Sequence, residues 1–138
     1  MRRFAEKTRV PVGQTQSEIK EVLRRFGAIE IGIVEGATRV LIAFRTARAL
    51  VNMELDLPDP KIVRDEDRRA QETRRLYRAL LLVLKAKLEA VGSGITTLEA
   101  EFMSNVVMPD GKTVGYHMLP RLEQIVKDGK LPPLLTAG

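Results

Sequence analysis

From about 64 to 91 the chain carries no glycine and no proline, and it is rich in arginine, leucine, alanine, lysine and glutamate. These side chains lose little freedom on a helix, and nothing in the backbone interrupts them. The stretch predicts one long helix, broken at Gly92-Ser93-Gly94. In a chain of 138 residues, which suits one domain, such a helix must be central, and the other elements pack along it or end against it.

The residues before it read as a sheet. Ile29, Ile31 and Ile33 alternate with Glu30 and Gly32, Gly36 offers a turn, and Arg39–Phe44 is rich in strand formers. Val51, Met53, Leu55 and Leu57 alternate with Asn52, Glu54 and Asp56, the pattern of a strand with one wet face. Short connections make the three an antiparallel meander. Upstream, Thr15-Gln16-Ser17-Glu18 has the form of a capping box and predicts a helix over 16–26, with Gly27 closing it. Downstream, Thr96-Thr97-Leu98-Glu99 repeats the capping signature and predicts a helix carrying Leu98, Phe102 and Val106. Pro109-Asp110-Gly111 is a turn. A last helix is expected over 113–128, bent or restarted at Pro120 and ended by Gly129.

The expected fold is therefore α+β: an N-terminal α-β-β-β meander, a three-stranded antiparallel sheet packed on a long central helix, followed by two shorter helices. Residues 1–14 are expected as an arm with a short strand around 8–12, residues 15–130 as a single domain, and 131–138 as an extended apolar tail.

Several chemistries lack their residues. With no cysteine there is no disulfide framework, zinc finger or thiol catalyst. The single histidine, His117, has no nucleophile pattern around it and reads as a surface or interface residue. Gly92-Ser93-Gly94 matches neither a dinucleotide fingerprint nor a Walker loop. Asp56, Asp59, Asp65, Glu66 and Asp67 are the acids available to a metal nuclease, yet Asp59 lies between two prolines and no following strand supplies the remaining groups. No catalytic residue, metal or cofactor is expected. The opening MRRFAEKTRV has no apolar run and reads as an arm rather than a secretory signal. The longest apolar run, Leu80–Leu84, is too short to span a bilayer. A soluble protein of the reducing cytoplasm is expected.

The formal net charge is +5, which fits nucleic acid, an acidic protein or a phosphorylated small molecule. At about 100° per residue Gln71, Arg74, Arg78, Lys85 and Glu89 share one side of the long helix, with Arg75 at its edge. Leu76, Ala79, Leu80, Val83 and Leu84 are expected to face the sheet. Arg74, Arg75, Arg78 and Lys85 are candidate phosphate contacts, with Arg64, Arg68 and Arg69 extending the track and Arg2, Arg3, Lys7 and Arg9 of the arm assisting. The competing reading is a solvated helix face, in which Asp65, Glu66, Asp67 and Glu72 neutralise arginines at close helical spacing. Lys87 falls on the apolar side and is read as snorkelling past the sheet edge.

The order α-β-β-β-α resembles the double-stranded-RNA-binding domain, although the segment 61–75 lacks its lysine cluster. Arg75-Leu76-Tyr77-Arg78-Ala79-Leu80, Leu84–Val91, Met108-Pro109-Asp110-Gly111-Lys112-Thr113-Val114 and Pro132-Pro133-Leu134-Leu135 look like segments of a group of small phage- and prophage-associated proteins. Val10-Pro11-Val12, Ser17-Glu18-Ile19 and Arg25-Phe26-Gly27-Ala28 are similar too. That resemblance implies a mobile-element setting and carries no catalytic residue. The functional expectation is a non-catalytic nucleic-acid-binding accessory protein of a phage or mobile element, binding DNA or RNA with weak sequence preference. The alternative is an oligomeric interaction protein acting on a host component, such as a defence inhibitor or nucleotide sponge, with the apolar tail clasping a neighbour or folding back on its own domain.

Overall fold

A computed structural model describes residues 3–135. Its elements are α1 (Val12–Arg25), β1 (Glu30–Glu35), β2 (Arg39–Arg45), β3 (Leu50–Asp56), α2 (Glu66–Gly92), α3 (Leu98–Glu101), a 3-10 turn (Met103–Asn105) and α4 (Val114–Asp128). The fold is α+β, with an antiparallel sheet in the order β1-β2-β3. In register, Ile33 lies opposite Ile42 and Ile42 opposite Met53, while Gly32, Ala43 and Asn52 form the neighbouring row on the other face. Alternation thus places Val40, Ile42, Phe44, Val51 and Met53 in the core.

Two helices cover that face. From α1 come Ile19, Val22 and Leu23, and from α2 come Tyr77, Leu80, Leu81, Leu84 and Leu88. Phe102 closes one end, edge-on to Phe44 with ring centroids 5.6 Å apart. The two helices run side by side in the same direction. Gln16 near the start of α1 bonds the Tyr77 hydroxyl at 3.1 Å, and Phe26 at its end lies against Gly92, where an added Cβ would meet the ring at 2.9 Å.

Four local expectations are corrected. The first helix begins at Val12, so no strand forms over 8–12, and Thr15 lies within the helix rather than at its cap. Thr15 is fully buried and its hydroxyl serves a tertiary contact. Second, the inward stripe of α2 is rotated from the expected one. Tyr77, Leu81 and Leu88 are buried, whereas Val83 is exposed and Leu76 and Ala79 are half-buried. Third, the helix expected to carry Val106 stops at Glu101, because Val106 leaves to pair with Val51 as an extra bridge on the β3 edge. Fourth, the last helix does not restart at Pro120, which lies inside the continuous α4.

The other boundaries follow their signals. Asp65 caps α2 by accepting from the Arg68 amide at 3.1 Å, while α3 starts one residue later than the Thr96–Glu99 spacing implies, capped by Thr97 accepting from Ala100 at 3.1 Å. The positive φ of Gly27, 101°, lets the chain turn out of α1 into β1. Within the expected tail, 131–135 are exposed, and 136–138 lie outside the described residues.

Candidate interaction site

Three of the basic residues assigned to the stripe of α2, Arg74, Arg75 and Arg78, are held by the molecule's own hydrogen bonds. Arg78 reaches across to α1, where it donates to the Glu18 carboxylate and to Thr15 Oγ1, the latter at 3.3 Å. Arg75 grips Glu72 one turn earlier through Nε and Nη2, at 3.0 and 2.7 Å. Its side chain is only 11% exposed. That grip holds the Glu72 carboxyl below its ordinary range and raises the Arg75 guanidinium. Arg74 donates to Gln71 at 2.6 Å, and Gln71 in turn donates to the backbone carbonyls of Glu6 and Thr8. Arg3 joins the same group through Glu72 at 3.2 Å. The stripe therefore fastens the arm and α1 to α2.

The remaining candidates are not held in this way. Arg64, Arg68 and Lys85 are exposed, and among the described residues no carboxylate lies within ion-pair distance of them. Arg69 turns back to donate to the Val63 and Arg64 carbonyls at 2.8 Å. Of the arm residues, Lys7 and Arg9 are exposed, and Arg2 lies outside the described residues. Lys87 bonds the Glu101 carbonyl at 3.2 Å and lies 5.4 Å from the centre of the Phe102 ring, fastening α3 to α2. Among the described residues no three acidic or histidine side chains converge where a metal ion would sit, and no helix is long and apolar enough to cross a membrane.

What the structure leaves uncovered is α4. The turn that launches it is tightly built. Gly111, at φ 84°, closes a turn in which Met108 and Lys112 pair, and Asp110 accepts from the Lys112 amide at 3.0 Å. Thr113 then caps the helix by accepting from Tyr116 at 3.1 Å. His117 on the first turn bonds Asp110 at 2.8 Å, and the Lys112 amide and His117 together hold the Asp110 carboxyl below its ordinary range. Gly115 is buried against the 3-10 turn, with the Ser104 carbonyl so close that an added Cβ would stand 2.7 Å from it. Beyond this root the helix stands clear. Met118, Leu119, Leu122, Ile125 and Val126 fall on one face of it, and all are exposed, Leu122 by 54% and Ile125 by 66%. The following Leu131, Leu134 and Leu135 are more exposed still.

Comparison with family models, with curated proteins and with solved structures finds no match for this chain. Its function must be read from its own surface.

The sequence alone does not mark α4 as a site, although its amphipathic signal is present. Met118, Leu122 and Ile125 recur at helical spacing with Arg121, Glu123 and Gln124 between them and Lys127 and Asp128 after them. Such an amphipathic helix ordinarily marks a core face, and only the fold shows that no core reaches it.

Proposed function

We propose that this chain is a non-enzymatic interaction module, in which the α1–α3 body is a platform and α4 with the segment after it docks on another protein surface. The exposed apolar face of α4 carries this reading. Monomeric proteins seldom leave contiguous apolar patches beyond about 300–600 Å². Moreover, an exposed fifteen-residue helix with a proline inside it has little stability of its own, since helices gain most of theirs from packing an amphipathic face. A mobile-element protein that acts by binding a host component fits the same arrangement.

The test is Leu122→Asp/Ile125→Asp, compared with wild type by urea denaturation at a concentration where sedimentation shows both to be monomeric. If α4 is a docking element, the body keeps its stability within about 0.5 kcal/mol, as for other surface substitutions. A loss of several kcal/mol would mean that α4 is buried against its own body in solution, and the reading fails.

Contact with a polyanion is a second reading, supported by the exposure of Lys61, Arg64 and Arg68 around the start of α2 and of Lys85 further along it. It calls for anisotropy with DNA and RNA over a salt series. Arg64→Ala/Arg68→Ala should make the salt dependence shallower by roughly one unit for each phosphate no longer neutralised. An unchanged slope removes these residues from consideration.

A further inference from the structure

Taking α4 as the docking element, we infer that its occupant is a second copy of this chain, and that the two α4 helices pair antiparallel about a twofold axis between Glu123 and Gln124. Met118, Leu122 and Ile125 are spaced four and three residues apart, the alternation that lets two helices mesh along a seam. Leu119 and Val126 extend one flank of that seam, and Arg121 and Asp128 stand on the other.

Only one orientation uses all of these residues. With the helices antiparallel, Leu122 of one copy meets Ile125 of the other, and symmetry repeats the layer. On one flank Val126 then meets Leu119 across the interface. On the other, Arg121 faces Asp128 of the second copy, and this too occurs twice. In the parallel orientation Arg121 would face Val126, and Asp128 would have no cation opposite it. Charge complementarity therefore favours the antiparallel pair. Within one copy, Arg121 has no carboxylate at ion-pair distance among the described residues, and Asp128 accepts from Gln124 at 2.6 Å. A carboxylate has acceptor sites for both partners.

The ends and the area are consistent. Met118 comes over Gly129 of the second copy, where the absent side chain leaves room, and the exposed leucines after α4 add apolar surface next to the helix end. Met118, Leu119, Leu122, Ile125 and Val126, with Leu131, Leu134 and Leu135, expose an area on the order of the 800 Å² per partner that a standard interface buries. Pro120 lies on the opposite side of the helix from this face, so its ring does not obstruct the pairing.

The experiment is sedimentation equilibrium of the full chain from micromolar to millimolar concentration, for wild type, Arg121→Glu, Asp128→Lys and an equimolar mixture of the two variants. Far-UV circular dichroism confirms that each is folded, and both substituted positions are exposed. The wild type should be a dimer, and each variant should dissociate about tenfold more readily, since each reversal places two like-charge pairs in the interface. The mixture should recover wild-type affinity by forming a mixed dimer, because each reversed residue then meets its opposite. Recovery in the mixture is specific to the antiparallel register, so a wild-type dimer without it overturns the inference. A wild type that stays monomeric, while Leu122→Asp/Ile125→Asp leaves the body's stability intact, overturns the second copy as occupant but leaves α4 as a docking element for another protein. A loss of body stability in that double variant overturns the docking reading itself.

Discussion

Replacing Arg78 with methionine separates a structural arginine from a phosphate-binding one. The side chains of Arg78 and Glu18 are 23% and 35% exposed, so the pair lies between a surface ion pair, worth about 0–1 kcal/mol, and a fully buried one, whose rupture costs about 3–5 kcal/mol. Solvent screening places the pair itself near 1 kcal/mol. The substitution also takes a donor from the hydroxyl of Thr15, which is 0% exposed, and an unsatisfied buried polar group adds about 1 kcal/mol or more. Methionine keeps much of the aliphatic packing, so the total should be about 2 kcal/mol. At roughly 4 °C per kcal/mol for a domain of this size, Tm should fall by about 8 °C. The assay is urea denaturation followed by far-UV circular dichroism, within a double-mutant cycle pairing Arg78→Met with Glu18→Gln. A coupling energy of about 1 kcal/mol is expected. Unchanged stability, together with a shallower salt dependence of DNA binding, would refute the reasoning and return Arg78 to the nucleic-acid reading.

Two further outcomes follow from neighbouring contacts. Because Arg75 lowers the folded-state pKa of Glu72, the stability this carboxylate contributes is present above the ordinary glutamate value of about 4.3 and is lost as pH falls through the lowered one. Glu72→Gln should therefore flatten the acid limb of a stability–pH curve below about pH 5 and remove some stability at pH 7; equal acid limbs in variant and wild type would contradict this. Gly115→Ala should cost about 1–3 kcal/mol through overpacking against the Ser104 carbonyl, and hydrogen exchange should quicken in the first turn of α4 and in 103–105 while the sheet stays protected. No change in exchange there would mean that the helix is not seated on the 3-10 turn.

The strands and the long helix were legible because their signals are local. Alternation in 51–57 and an uninterrupted run of helix formers leave little choice. The first helix was misplaced because Thr15 and Glu18 have capping-box spacing yet serve Arg78, more than fifty residues away. The better start signal was Pro11, which cannot donate a backbone hydrogen bond and stands where the helix needs none. The stripe facing the core shifted from Val83 to Tyr77 because α1 lies alongside α2, which no pattern within α2 encodes. For the candidate site, the pairing of Glu72 with Arg75 was visible in helical spacing, whereas Glu18 with Arg78 was not. The exposed face of α4 could not be told from a core face, since sequence periodicity records amphipathicity and not what covers it.

The parallel placement of α1 and α2 has a kinetic consequence. The meander joins residues close along the chain, and its two short turns close at little entropic cost. The helical layer above it closes only when α2 arrives beside α1, bringing Arg78 to Thr15 across a separation of 63 residues. Until then the apolar face of the sheet has only α1 over it. Folding should therefore be limited by this single long-range docking step, slower than in a bundle of comparable length, and substitutions on the facing surfaces of α1 and α2 should test whether that step governs the rate.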